Sequence, residues 1–597
     1  MRYEYDGFGR LHVADDGHWP LAWGYDACNR LTQEHQGFAS QYYAYHPDGQ
    51  LSHMRMVDGN ILKMDYRNGE LFQIIHNGLV LSEHQWQRGR ETRRLFGSQH
   101  QNHSKCGLYS DYDSRQRMVS QRAKLRDGEG DILRRDYHYD PAGNLEQILD
   151  SRKGTRTFTR DLKNRLATAR HEPHAHLRDG LPEDPRWNAL HEEFSFDGDD
   201  NLLGMNMPPE GGEHQAKVKG DRLLLQGDHH YEYDEFGNLI ADRWGKAQCR
   251  EHRYEWNCEH RLVRFTDMRH YDDEGFPRHT LTKSWRYEYD VFGRRIRKTD
   301  EETGKSTLFF WQDDRMVTEC DEAHADFSPG LMFNKNTRAT DFDCTSYLYE
   351  PGGSFRPLAQ LKGRGVGSIV SYYVNDHIGT PQELLDEDGN VVWSAIYRAY
   401  GHAEMQAGIR QPLRFQGQYA DEESGLHYNR YRYYNPLSGR YLTPDPILVR
   451  GGLNIYAYVS DPLKWIDPLG LAKQCTCGQP YVDQNERWRQ IADDPKQPSH
   501  VRGWLKNQIS RVDAGKQSDI LVPPGYELAH RPRFENDGGY DYSHADPALA
   551  ADHRGIQHRY WRKRGGSWSA KMPKSGPRGK GKLSLPKPGA LIFWRTK

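Results

Sequence analysis

Two acidic residues, each followed by proline, stand in and after a dense run of tyrosine and arginine: GLHYNRYRYYNPLSGRYLTPDPILVRGGLNIYAYVSDPLKWIDPLGL, residues 425 to 471. They are Asp445 and Asp467. Two carboxylates at close range cannot both ionise cheaply, so one keeps a proton while the other activates water against a peptide carbonyl. An arginine beside them would bias which acid is charged or steady the oxyanion. The alternative for both is turn initiation, because aspartate bonds its own backbone and proline fixes φ. A second concentration of reactive side chains lies further on, where His530, His544, His553 and His558 fall within 29 residues. Imidazole serves as a general base or a metal ligand. Any one of the four alone fits a surface or capping role better; four together favour a site.

The elements that must carry these groups are repeats. A unit Tyr-x-Tyr-Asp-x-x-Gly-Arg/Asn-Leu occurs as YEYDGFGRL (3–11), YHYDPAGNL (137–145), YEYDEFGNL (231–239) and YEYDVFGRR (287–295). Degenerate copies are GYDACNRL (24–31), FSFDGDDNL (194–202) and YEWNCEHRL (254–262). Alternating aromatics predict a strand, Asp and Gly a turn, and the following residues a second strand, so each unit is a hairpin. A hairpin cannot bury its own face, and neighbours must stack into a long sheet. Residues 346 to 424 alternate in the same way, and Asp376-His377 reads better as a turn between strands than as a catalytic pair.

With 597 residues, the chain predicts roughly three or four domains. The boundaries fall at 1–345 for the repeats, 346–471 for the block containing both aspartates, and 472–597 for a terminal domain. No run approaches the ~18 apolar residues of a membrane span, and the amino terminus has no apolar core of a signal peptide. Eight cysteines are scattered at 28, 106, 249, 258, 320, 344, 475 and 477. No disulfide framework is expected from them, and Cys475 and Cys477 lack the further soft ligands zinc requires. The net charge of −2 conceals a split: residues 472–597 hold 23 Lys+Arg against 12 Asp+Glu, and residues 1–471 hold 59 against 72. A basic terminal module suits a polyanionic target and is attracted to an acidic container.

The signature YRYYNPLSGRYLTPDP, the closing DPLGL and the upstream NDHIGTPQELLDEDGNVVW (375–393) resemble the core region of Rhs and YD-repeat proteins, the bacterial polymorphic toxins. The weaker repeats carry that resemblance back to Met1. It implies a mainly β fold, a YD-repeat β-solenoid or cocoon shell around a C-terminal effector. It also implies self-cleavage in aspartic-protease fashion between Leu471 and Ala472, by Asp445 and Asp467 with Arg432 assisting. The first Asp-Pro departs from the compact Asp-Pro-x-Gly-Leu form, although its aspartate is kept. Implied partners are a type VI secretion spike with PAAR-type components and a cognate immunity protein. The implied route is synthesis in the cytoplasm and injection by a contractile machine into a target cell's cytoplasm. Such shells are usually longer and often carry a spike-tip domain, so this sequence, which opens inside a repeat, is read as an orphan copy or part of a larger protein.

The terminal 126 residues are enough to fold alone. Two amphipathic helices are expected first, then a strand ending at His530, a second near Tyr540–Tyr542, and a helix capped by Asp546 with Pro547 at its first position. That helix would carry His553 and His558. Strand, turn, strand and helix with histidines at both ends resembles the small α+β, ββα-metal fold of HNH and endonuclease VII-like nucleases. AHR and QHRY also resemble a small family of toxin effectors grouped with them. Under this resemblance His530 is the general base, and His558, with His553, His544 or Asp546, holds a divalent ion, Mg²⁺ or Zn²⁺. The central asparagine of the HNH pattern is missing near Ala548. Arg531, Arg559, Arg562, Lys563 and Arg564 would contact the phosphates of a nucleic acid, DNA being favoured. Two alternatives stay open: a metal-independent RNase or other cargo in the same shell, and a non-enzymatic adhesin or recognition solenoid.

Overall fold

The computed structural model describes residues 1–97, 105–126, 130–174, 191–204, 216–271, 279–322, 344–363, 367–448, 452–471, 473–475, 488, 491–492, 499–513, 526–530 and 545–549. The chain divides into two compact units, Met1–Gln479 and Pro480–Lys597.

The repeat unit folds as its chemistry dictates. In the first copy Asp6 Oδ1 accepts the backbone N–H groups of Phe8 and Arg10, at 2.9 and 3.0 Å, and its Oδ2 accepts Arg10 Nε at 2.6 Å. Gly9 supplies the positive φ of 79° that closes the turn. The same aspartate-to-arginine clasp recurs at Asp26–Arg30, Asp113–Arg117, Asp161–Arg165 and Asp290–Arg294. Asparagine replaces arginine after Asp140 and Asp234.

The tyrosines join one hairpin to the next. Tyr25 donates its hydroxyl to the Leu11 carbonyl at 2.9 Å, Tyr45 to Leu31 at 2.8 Å, Tyr139 to Met118 at 2.9 Å and Tyr289 to Leu262 at 2.6 Å. The turn arginines lie over the same rings, Arg10 at 4.8 Å from Tyr25 and Arg117 at 4.4 Å from Tyr139. A unit therefore contributes half of each such contact, which gives the solenoid its cohesion.

Among the described residues, 17 strands from Arg2–Tyr5 to His191–Glu193 form one antiparallel sheet and 16 from Ala216–Lys219 to Ala403–Gly408 form another. In both, each strand pairs with the next in sequence. The sheets share cores: Leu62, Ile74 and Phe96 of the first pack with Leu361, Tyr372 and Val374 of the second. Phe96 stacks on Tyr372 at 4.3 Å. The sequence boundary at 345/346 lies inside the strand Cys344–Tyr349, so the second sheet runs on without interruption there.

Two further expectations are corrected. Cys320 and Cys344 form a disulfide with Cα atoms 4.3 Å apart. The two are directly paired across neighbouring strands, a proximity that their 24-residue separation concealed. In the second unit the strand Tyr526–His530 is present, but Asp546 and Pro547 lie in a strand, Ala545–Leu549, and not at a helix start. Register runs from Tyr526 opposite Leu549 to His530 opposite Ala545. Ladder pairing overrides the local capping preference of Asp-Pro, and a two-stranded sheet has only edge strands, where proline is tolerated. The helix Ser499–Asp513 is one of the two expected, and buries Val501, Leu505 and Gln508 at helical spacing. The expected strand near Tyr540–Tyr542 lies outside the described residues.

Candidate functional site

A small sheet of Tyr419–Ala420, His427–Asn429, Arg432–Asn435 and Arg440–Tyr441 carries the tyrosine block. Its alternation turns Tyr428, Tyr433, Tyr434 and Tyr441 into buried side chains. The Arg432 guanidinium stacks 3.6 Å from the Tyr441 ring. One of its nitrogens, Nη2, lies 2.9 Å from Asp445 Oδ2 and 3.5 Å from Asp467 Oδ2. The structure thus brings together the three residues that the sequence picked out, all less than 5% exposed.

The same arginine reaches the chain beside the expected cut. Arg432 Nε donates to the Gly470 carbonyl at 2.6 Å, and Nη1 to the Ile455 carbonyl at 3.1 Å. Asp467 Oδ1 accepts the Leu471 backbone N–H at 2.9 Å. Leu471 is therefore gripped from its amino side, while Ala472 lies outside the described residues. Asp445 Oδ1 accepts the Ile447 N–H at 2.9 Å, a turn contact, so the turn-initiating role and the clustered role coexist.

Burial pushes the carboxyls of Asp445 and Asp467 above the ordinary aspartate range, with Arg432 pulling each back. One guanidinium and one carboxylate make a neutral buried cluster; ionising the second acid would leave an uncompensated charge. Burial therefore opposes ionisation of both acids at once. Such a pair can supply both a base and an acid.

Sequence reasoning did not single out Tyr441 or Asn429. Tyr441 donates its hydroxyl to Asp467 Oδ2 at 2.9 Å, and Asn429 Nδ2 donates to the Tyr441 oxygen at 2.9 Å and to the Asp467 carbonyl at 2.8 Å. Both residues stand inside the quoted block, but nothing there separates them from their neighbours. Gly417, at φ 83°, packs so closely on the Pro468 carbonyl that a Cβ would collide with it. A further Asp-Pro, at Asp461, is not part of the cluster: it binds Arg160 Nε at 3.0 Å and the Leu463 N–H. Asp376 caps a turn by accepting the Ile378 and Thr380 N–H groups, and His377 Nε2 bonds the Leu463 carbonyl, as the turn reading expects.

In the second unit His530 ends the strand Tyr526–His530 opposite Ala545, and Asp546 stands opposite Ala529. Arg531, His544, His553, His558, Arg559, Arg562, Lys563 and Arg564 lie outside the described residues. Among the described residues no cluster of three or more His, Cys, Asp or Glu could hold a metal ion, and no helix is long and apolar enough to cross a membrane.

The fold has a counterpart among solved structures. It matches the Tc holotoxin pore of Photorhabdus luminescens with a TM-score of 0.53 at 16% identity, covering 79% of this chain and 25% of that one. The family described as RHS protein matches residues 370–406, and the one described as Bacterial toxin 8 matches residues 491–560. The latter range contains AHR (529–531) and QHRY (557–560). The chain is 31% identical over 490 residues to double-stranded DNA deaminase toxin A of Burkholderia cenocepacia, covering 76% of this chain and 30% of that protein. It is 32% identical over 381 residues to toxin protein Tse5 of Pseudomonas aeruginosa, 59% of this chain and 28% of that protein. With probable deoxyribonuclease RhsA of Dickeya dadantii it shares 27% over 440 residues, 72% and 26% of the two chains. Over most of its length the chain is thus similar to Rhs-type toxins, and it carries a segment that matches a bacterial-toxin family. It spans less than a third of the length of these relatives.

Proposed function

We propose that this chain severs itself between Leu471 and Ala472 and so frees a nuclease from its β-sheet unit. The observation that carries the reading is Arg432, which holds both carboxylates and the Gly470 carbonyl, while Asp467 holds the N–H of Leu471. In the reaction the ionised acid takes a proton from water, and the hydroxide attacks the Leu471 carbonyl. The protonated acid gives its proton to the Ala472 nitrogen as the C–N bond breaks. Arg432 keeps the pair singly charged, and Tyr441 and Asn429 orient Asp467. Purified Asp467→Asn and Asp445→Asn chains are expected to run only at full length on a denaturing gel, where the parent gives two pieces. Undiminished cleavage in either variant would overturn the assignment. A parent chain that never divides would instead favour the recognition solenoid.

The nuclease reading rests on the toxin segment, the basic terminal stretch and relatives named as deoxyribonucleases. Another relative is named as a deaminase, so likeness across the β-sheet unit does not fix the terminal chemistry. His530 would deprotonate water, and a divalent ion held by His558 with His553, His544 or Asp546 would neutralise the phosphorane charge. Arg531, Arg559, Arg562, Lys563 and Arg564 would bind the backbone phosphates. Release is proposed to follow injection by a type VI machine, with an immunity protein guarding the producing cell. The cleaved protein is expected to degrade plasmid DNA with Mg²⁺ and to stop on adding EDTA or on His530→Ala. RNA degradation persisting in EDTA would favour the metal-independent alternative.

A further inference from the structure

Beyond the expected cut the chain turns back on itself. Gln474–Cys475 pair antiparallel with Trp465–Ile466, with Ile466 opposite Gln474 and Trp465 opposite Cys475. Asp467 directly follows Ile466 on one arm and Lys473 directly precedes Gln474 on the other, so the pairing begins beside the proposed catalytic acid. The proposed target bond lies between the two arms in sequence. Lys473 also lines a cavity of about 560 Å³ bounded by Asp199, Asp200, Asp221, Arg440 and Tyr458. Tyr400, 1% exposed, lines the same cavity with a hydroxyl that has no hydrogen-bond partner. The first unit extends to Gln479, so this returning arm belongs to the β-sheet unit that does the cutting.

We propose that Lys473, Gln474 and Cys475 form a product-side arm. It positions the Leu471 carbonyl for attack, and after cleavage it keeps the new amino-terminal segment of the toxin paired to Trp465–Ile466. The inference rests on the self-cleavage reading. A peptide loop fixed at only one end samples many conformations, and pairing its far end removes that freedom before the chemistry begins. Ladder hydrogen bonds are indifferent to the covalent break, so the arm stays bound as an added strand. Asp467, Asp200 and Asp445 favour the Lys473 ammonium, but burial outweighs them and its net shift is downward. The arm is a positioning device and its residues take no proton in the reaction.

The test uses the full chain made by cell-free synthesis, with cleavage followed over time on denaturing gels. Replacing Gln474 and Cys475 together by proline removes both backbone donors of the arm and is expected to slow cleavage at least tenfold. Inserting one alanine between Ala472 and Lys473 lengthens the loop without altering the arm. It is expected to slow the cut or move it by one residue, read by mass spectrometry of the fragments. Hydrogen exchange gives the second readout: the Trp465–Cys475 ladder is expected to stay protected after cleavage of the parent. Parent-like rate and cut position in both variants, or loss of that protection on cleavage, would overturn the proposal. A parent that does not cleave at all overturns the self-cleavage reading itself.

Discussion

At the residue scale the decisive arrangement is one arginine serving two acids. The Arg432 charge cancels that of a single carboxylate, and burial opposes the second ionisation. Both acids titrate above the ordinary aspartate value, so the cleavage rate is expected to be bell-shaped in pH with both limbs displaced upward from the usual carboxylate range. On the acid side the base becomes protonated, and on the alkaline side the acid loses its proton. Rates measured on chain refolded at a series of pH values check this. A rate flat from pH 4 to 9 would contradict it. The aspartates stood out by their prolines and tyrosine context, while Arg432 and the joint role of the three came only through the resemblance to Rhs cores. Tyr441 and Asn429 were not legible, because a tyrosine in a tyrosine-rich strand gains its role only when the DPLGL segment folds against it.

At the scale of the element the repeated hairpin explains most of the tyrosine content. Its reading from sequence succeeded because the signals are local: alternation, an aspartate that accepts two N–H groups, and a residue able to take positive φ. It failed where a distant strand decides, as at Asp546–Pro547, whose backbone is claimed by Tyr526–His530. Tyr139→Phe, which deprives the Met118 carbonyl of its partner, is expected to cost about 1 kcal/mol in denaturant unfolding. The turn aspartates shift oppositely to Asp445 and Asp467. Burial raises Asp161, but the Arg165 N–H and side chain lower it further, and its net shift is downward, as at Asp113. A folded value below the unfolded one gives stability that is present above the ordinary aspartate range and lost as pH falls through the folded value. Acid unfolding is therefore expected to sharpen at low pH, and Asp161→Asn to flatten that limb in a pH titration of thermal midpoint.

Across the whole molecule, two sheets with shared cores hold a buried charge network as well as apolar contacts. Arg135 binds Asp150 at 2.6 Å and also Glu383, which pairs with Lys153 at 2.7 Å. Arg135, Asp150 and Lys153 belong to the hairpins of the first sheet and Glu383 to the second, so removing Glu383 leaves Lys153 without its carboxylate and the cluster with one uncompensated cation. The Cys320–Cys344 disulfide fastens neighbouring strands of the second sheet. In denatured, unreduced protein these two thiols are expected to resist alkylation, which should appear only after dithiothreitol. Their joint replacement by serine should lower the melting temperature under oxidising conditions while leaving cleavage intact. The disulfide was illegible from cysteine counting, because eight scattered cysteines in a long chain give no framework, and only strand register reveals the pair.

Within the two large sheets each strand pairs with its immediate predecessor, which bears on synthesis. A strand leaving the ribosome meets a partner already made, so order can spread from the amino end without waiting for distant sequence. The proposed cutting acids follow nearly all of this ladder in sequence, and the toxin segment follows them. In the β-sheet unit, neighbour-to-neighbour pairing thus lets the ladder assemble in the order in which it is made.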